Sequence, residues 1–188
     1  ATKLREMNRN NEKINDFIPY KLEDSNCDIP YDISNLDSAI ISKLRLMTAE
    51  NLQNISEVTE GIENRILSSA NMSYSFETLV ENVKNKRYTT SKIRRMIISA
   101  LIGFTKDIYS PMPQYIRILG MNKVGMTILK QAKDTCKVPI ITKTADFKEQ
   151  SPQFNLDVRA TNIAMLCNPI PTHRIGNADL QKSPIIMK

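Results

Sequence analysis

In 188 residues the sequence has no tryptophan, one histidine, five glycines and three cysteines, and each scarcity closes off a class of function. Cys27, Cys136 and Cys167 are odd in number, far apart and in no metal-ligand spacing. They exclude a disulfide scaffold or a zinc module and read as free thiols in a reducing cytoplasm. His173, between Pro171 and Arg174, has no Cys, Asp or Ser partner nearby. Neither a metal cluster nor a hydrolytic triad can be assembled around it, so no catalytic residue and no metal ligand is assigned in this chain. Gly120 and Gly125 have the spacing of a phosphate-binding loop, but Met126 stands where that loop requires Lys. No apolar run is long enough to span a membrane and no signal peptide is visible, so the expectation is a cytoplasmic protein without a membrane partner.

What is present is a 41% apolar fraction, enough for a real core, and a net charge of +6 with a sequence pI near 9.2. The excess is modest and points toward a polyanion without requiring one. It is concentrated in residues 84–104, KNKRYTTSKIRRMIISALIGF. Lys84, Lys86, Arg87, Lys92, Arg94 and Arg95 come first, with no acid among them, and an apolar run follows. Ile93, Met96, Ile97, Ala100, Leu101 and Phe104 recur at helical spacing, which predicts a helix from about Thr90 with that face buried. Ile98 and Ile102 on the other side suggest that its C-terminal half is enclosed all round.

A helix N-terminus carries partial positive charge, so cations in the first turns are locally unfavourable. A phosphate seated near Thr89, Thr90 and Ser91 reverses the sign, because dipole, hydroxyls and cations then face one anion. A solvated basic face and an RNA or phosphate site stand at even odds on the residues alone. Tyr88 is equally open: it either stacks on an unpaired base or packs in the bundle.

Elsewhere, periodicity predicts helices over residues 1–18, with Leu4, Met7, Ile14, Phe17 and Ile18 inward, and over 36–47, capped by Ser34 or Asn35. A short helix capped by Thr48 follows, then helices over 57–70 and from Ser73 or Ser75 to about Lys84, with Phe76, Leu79, Val80 and Val83 buried. Residues 19–30 read as a polar loop. Gly61, inside the helix predicted over 57–70, costs about 1 kcal/mol relative to Ala and implies close approach of another backbone. Glu60 and Glu63 either hold the basic stretch by ion pairs or act as general acid and base. After Pro111 and Pro113, residues 115–119, 122–135 and 138–142 read as strand, helix, strand, a β-α-β unit with parallel strands. Residues 146–155 read as loop, 156–166 as a last helix, and the rest as a tail that packs back on the body. The fold class is mainly α: a helical bundle followed by a small α/β (β-α-β) unit with a short parallel sheet.

Several stretches together resemble the C-terminal half of the bacterial tRNA(Met) cytidine acetate ligase family. Glu60-Gly61-Ile62-Glu63-Asn64-Arg65-Ile66 resembles its EGLENRI. Ser75-Phe76-Glu77 and Val83-Lys84-Asn85-Lys86-Arg87-Tyr88-Thr89 resemble its SFEEL and VKTKRYT, and Tyr115-Ile116-Arg117-Ile118-Leu119-Gly120 its YIRVLG. Ala1-Thr2-Lys3-Leu4-Arg5 resembles the tail of its SATSIR motif, with Lys3 for the usual Ser, which implies that Arg5 contacts ATP phosphates.

By this resemblance the parent protein forms acetyl-adenylate from ATP and acetate and acetylates the wobble cytidine of elongator tRNA(Met). The family's histidine motif is absent, and the expectation drawn from that is a missing N-terminal nucleotidyltransferase domain. Residues 1–19 are then its remnant and connecting helix, 20–110 a tRNA-binding bundle, and 111–188 an α/β unit with C-terminal helix and tail. The chain alone is expected to be inactive, with the ATP site mostly outside it and the missing domain as a partner. Binding of tRNA falls to Lys84, Lys86, Arg87, Tyr88, Thr89, Lys92, Arg94 and Arg95. Two other readings are a non-enzymatic RNA-binding helical module and a helical protein-interaction domain whose basic stretch pairs with Glu60 and Glu63.

Overall fold

The computed structural model describes residues 32–59, 61–109, 112–147, 151–168, 170–181 and 183–187, with Lys3, Glu6, Met7, Asn10, Glu12 and Phe17. The loop expected over 19–30 and most of the helix expected over 1–18 lie outside the described residues. Lys3, Glu6 and Met7 are helical. Of the inward candidates there, Met7 is half-buried and Phe17 exposed.

Five helices make the bundle: α1 (Asp37–Arg45), α2 (Ala49–Gln53), α3 (Glu63–Met72), α4 (Phe76–Val83) and α5 (Thr90–Ile102). The hydroxyl-bearing caps set most of the starts. Thr48 and Ser75 each form a capping box, with Asn51 and Thr78 respectively, and Thr89 accepts the Lys92 N–H. Two starts differ from expectation. A 3-10 turn, Ile33–Leu36, precedes α1, and its cap is Asp32, which accepts the Ser34 N–H at 3.0 Å, instead of Ser34 or Asn35. Helix α3 begins at Glu63 instead of residue 57, because Glu57 and Gly61 have φ of 67° and 90°, left-handed backbone that breaks a helix. A Cβ on Gly61 would meet nothing within 4 Å. Glycine is thus placed there by left-handed backbone, and the expected close approach is corrected.

The core lies where the bundle helices meet. Ile40 and Leu44 of α1, Ile66 of α3, Phe76, Leu79 and Val83 of α4 and Ile93, Met96 and Ile97 of α5 are each at most 2% exposed. Ile98, Leu101, Ile102 and Phe104 are half-buried, so the end of α5 is only partly enclosed. Two arginines finish the helices whose last carbonyls lack intrahelical donors. Arg45 donates to the carbonyls of Ala70, Asn71 and Ser73, and Arg65 to those of Asn82, Val83 and Lys84.

Beyond the bundle, β1 (Ile116–Arg117) pairs in parallel with β3 (Ile140–Ile141), Ile116 opposite Ile140, with α6 (Lys123–Thr135) between them in sequence. This is the β-α-β unit the pattern predicts, with shorter strands. The tail does return to the body: β4 (Ile185–Ile186) pairs in parallel with β2 (Gly120–Met121). Helix α7 (Pro152–Met165) starts earlier than expected, because Ser151 caps it through the Phe154 N–H and Pro152 suits the first turn. It packs on α5, and Ile163 and Cys167 join the bundle's apolar cluster, so residues on both sides of 110 share one core. A short helix, α8 (Ala178–Gln181), carries Asp179, which is 5% exposed and bound in bidentate fashion by Arg117 at 2.7 and 2.8 Å.

Candidate nucleic-acid interface

The loop that leads into α5 is held from three sides. The Asn85 carboxamide oxygen accepts the backbone N–H groups of Arg87 and Tyr88 at 2.8 and 3.0 Å. The Arg65 side chain fixes the carbonyls just before the loop, and Thr89 caps the helix just after it. Tyr88 anchors the centre: it is 8% exposed, and its hydroxyl lies 2.7 Å from that of Thr59. Arg87 and Lys92 cover its ring at 5.4 and 5.3 Å from the centroid, so both cations sit over a π face. Of the two readings open for Tyr88, packing in the bundle is the one found. Its ring is not free to stack on a base.

The six cations of the stretch fall into two groups. Arg94 pairs with Glu77 and lies over the Phe76 ring, Arg95 meets both Glu57 oxygens at 3.0 Å, and Lys84 approaches Glu81 at 3.6 Å. Lys86, Arg87 and Lys92 have no carboxylate partner among the described residues. Lys92 lies in the first turn of α5 and Lys86 and Arg87 in the loop that leads into it; in that turn the Lys92 amide is taken by Thr89 and those of Thr90 and Ser91 stand outside the helical ladder.

Glu60 lies outside the described residues. Glu63 is 3% exposed and holds none of the cations; its carboxylate accepts the Gly61 N–H at 2.8 Å and the Gln53 amide at 3.0 Å. Its own backbone N–H, Gln53 and Gly61 keep its pKa below the ordinary carboxylate value, so it serves as a turn-forming anion. The expected pairing of Glu63 with the basic stretch is therefore corrected: Glu57 and Glu77 do that work. Sequence reasoning missed both: Glu57 has left-handed backbone within a stretch that reads as helix, and Glu77 and Glu57 lie 17 and 38 residues from the arginines they meet. It also missed Arg65 as the brace of the loop, although the EGLENRI-like stretch holds it. Arg5 lies outside the described residues.

The chain belongs to the HIGH nucleotidyl transferase family, whose model matches residues 1–179. Among individual proteins, it is 35% identical to the tRNA(Met) cytidine acetate ligases of Acetivibrio thermocellus and Thermosipho africanus, over 79% and 85% of its length. It spans 38% and 43% of theirs. A crystal structure of Thermotoga maritima TmcAL bound with alpha-thio ATP superposes with a TM-score of 0.73 at 29% identity, covering 84% of this chain and 42% of that one.

The family match corrects linked expectations: that the nucleotidyltransferase module is missing and must join as a partner, and that the chain is a separate tRNA-binding part of the ligase. It likewise removes the grounds for expecting the chain to be inactive and the ATP site to lie mostly outside it. Those expectations rested on one absent histidine motif, and such an absence carries no weight in a chain that spans under half of its relatives' length. Among the described residues, no helix is long and apolar enough to cross a membrane.

Proposed function

We propose that this chain works in an ATP-dependent tRNA(Met) cytidine acetate ligase, and that the N-terminal shoulder of α5 seats phosphates of the tRNA. The observation that carries the reading is the trio Lys86, Arg87 and Lys92, on the loop and first turn at the start of α5, which have no carboxylate partner among the described residues, whereas Arg94 and Arg95 are paired. Like charges gathered on a positive dipole repel one another, and a phosphate relieves that repulsion while gaining charge-assisted hydrogen bonds. Lys84, Thr89, Arg94 and Arg95 flank the trio and complete the proposed contact surface, with Tyr88 as its buried support. Such contacts position a nucleic acid without reading its sequence.

Acetate enters the proposal through the activity for which the relatives are named, and ATP through the analogue bound in the Thermotoga structure. Arg5 is the residue proposed for the ATP phosphates. The test is mass spectrometry for acetylated cytidine in tRNA(Met) from cells lacking the gene. The modification should disappear, return with the wild-type gene, and return poorly with Lys86, Arg87 and Lys92 replaced together by Ala. Acetylated cytidine at normal level without the gene contradicts the reading.

A further inference from the structure

Two arginines do the same work at two helix ends, and only one of those ends opens into the basic loop. Arg45 donates to the carbonyls of Ala70, Asn71 and Ser73 at the end of α3, at 3.1 to 3.4 Å. Arg65 donates to those of Asn82, Val83 and Lys84 at the end of α4, at 2.7 to 3.0 Å. The geometry points to Arg65 as a positioning residue for the phosphate shoulder: it holds Lys86 and Arg87 where a phosphate can meet them, and makes no phosphate contact of its own. This inference rests on the reading above.

The path from Arg65 to the two cations is short. Lys84, whose carbonyl Arg65 holds, is followed by Asn85, and the Asn85 carboxamide accepts the N–H groups of Arg87 and Tyr88. Residues 85 and 88 are bridged in antiparallel fashion, and the Tyr88 hydroxyl meets that of Thr59 at 2.7 Å. Lys86 and Arg87 thus stand on a span fixed at both ends, by Arg65 on one side and Tyr88 on the other. Tyr88 belongs to the core, but Arg65 is exposed, so removing its side chain opens no cavity and acts on the loop.

The side-chain type matters. The Nε and Nη2 atoms of one planar guanidinium reach three consecutive carbonyls. A lysine ammonium is a point charge on a flexible stem and cannot reproduce that fork. Among the described residues neither Arg45 nor Arg65 meets a carboxylate, so truncating either strands no acid. A loop released from Arg65 keeps its cations but must be ordered by the ligand, and that ordering weakens binding.

The experiment is fluorescence anisotropy of the full chain with tRNA(Met) at one fixed salt concentration. Arg65→Ala should weaken binding about five-fold, and Arg65→Lys should weaken it as much. Arg45→Ala, which loses the same kind of helix-end support, should change affinity less than about two-fold. Once Lys86→Ala and Arg87→Ala are in place, adding Arg65→Ala should likewise have an effect below about two-fold, because a residue that acts through those cations has nothing left to position. Wild-type affinity in Arg65→Lys would show that charge alone suffices, and overturns the inference. So do an undiminished effect of Arg65→Ala without Lys86 and Arg87, an equal loss in Arg45→Ala, and an Arg65→Ala variant that binds normally; each of these leaves the shoulder standing if the Lys86→Ala, Arg87→Ala pair itself weakens binding. Unchanged binding in that pair overturns shoulder and inference together.

Discussion

Helices α5 and α6 are both 13 residues long and both amphipathic, yet α5 buries five residues and α6 buries none. An amphipathic pattern states which face can be buried; the elements packed against it decide whether it is. Helix α5 lies among α1, α4 and α7, which close over Ile93, Met96 and Ile97. Among the described residues, helix α6 packs against the short strand β2, and Ile128 is 60% exposed, with Leu119 and Ile185 near 70%. The stability of the molecule should therefore reside in the bundle.

The largest effect expected from this contrast is in the core. Ile97→Ala should cost about 2–5 kcal/mol in denaturant unfolding, since it removes a fully enclosed side chain. The equivalent change on α6, Ile128→Ala, should stay within about 0.5 kcal/mol. Similar costs for the two would break the comparison. Next comes the tie between β1 and α8: Arg117→Ala strands the Asp179 carboxylate and should cost toward the low end of about 3–5 kcal/mol, because Arg117 is partly solvated. A melting temperature unchanged in that variant would show that the tail does not depend on the pair.

A smaller, pH-dependent effect is expected at Glu63. Its pKa is lower folded than the ordinary value of 4.5, so the stability it contributes is present above that value and lost as pH falls through the folded value. Glu63→Gln should therefore cost about 1–2 kcal/mol at pH 7, from weakened charge-assisted hydrogen bonds, and progressively less in acid. A gap that widens on acidification would reverse the sign of this argument. Arg95→Ala should have the least effect, about 0.2–1 kcal/mol, since its pair with Glu57 is solvated.

The bundle was legible in the sequence because its signals are local. Capping hydroxyls at Thr48, Ser75 and Thr89 and apolar spacing along residues 76–100 each determine structure within one or two turns. What escaped the reading was non-local or hidden in backbone conformation. The late start of α3 depends on positive φ at Glu57 and Gly61, which a helical pattern masks. The partition of the basic stretch into paired and unpaired cations depends on contacts 17 and 38 residues away. For that reason Arg94 and Arg95, equal to Arg87 in the sequence, are not its equals in charge available to a ligand.

That inequality is the account's central claim, and the salt dependence of tRNA(Met) binding tests it directly. With Lys86, Arg87 and Lys92 changed to Ala, the slope of log K against log salt should fall by about 0.7–0.9 for each phosphate contact removed, and affinity should drop uniformly. The paired residues, changed as Arg94→Ala with Arg95→Ala, should move the slope less. An unchanged slope in the triple variant, or a larger change in the paired one, would contradict it.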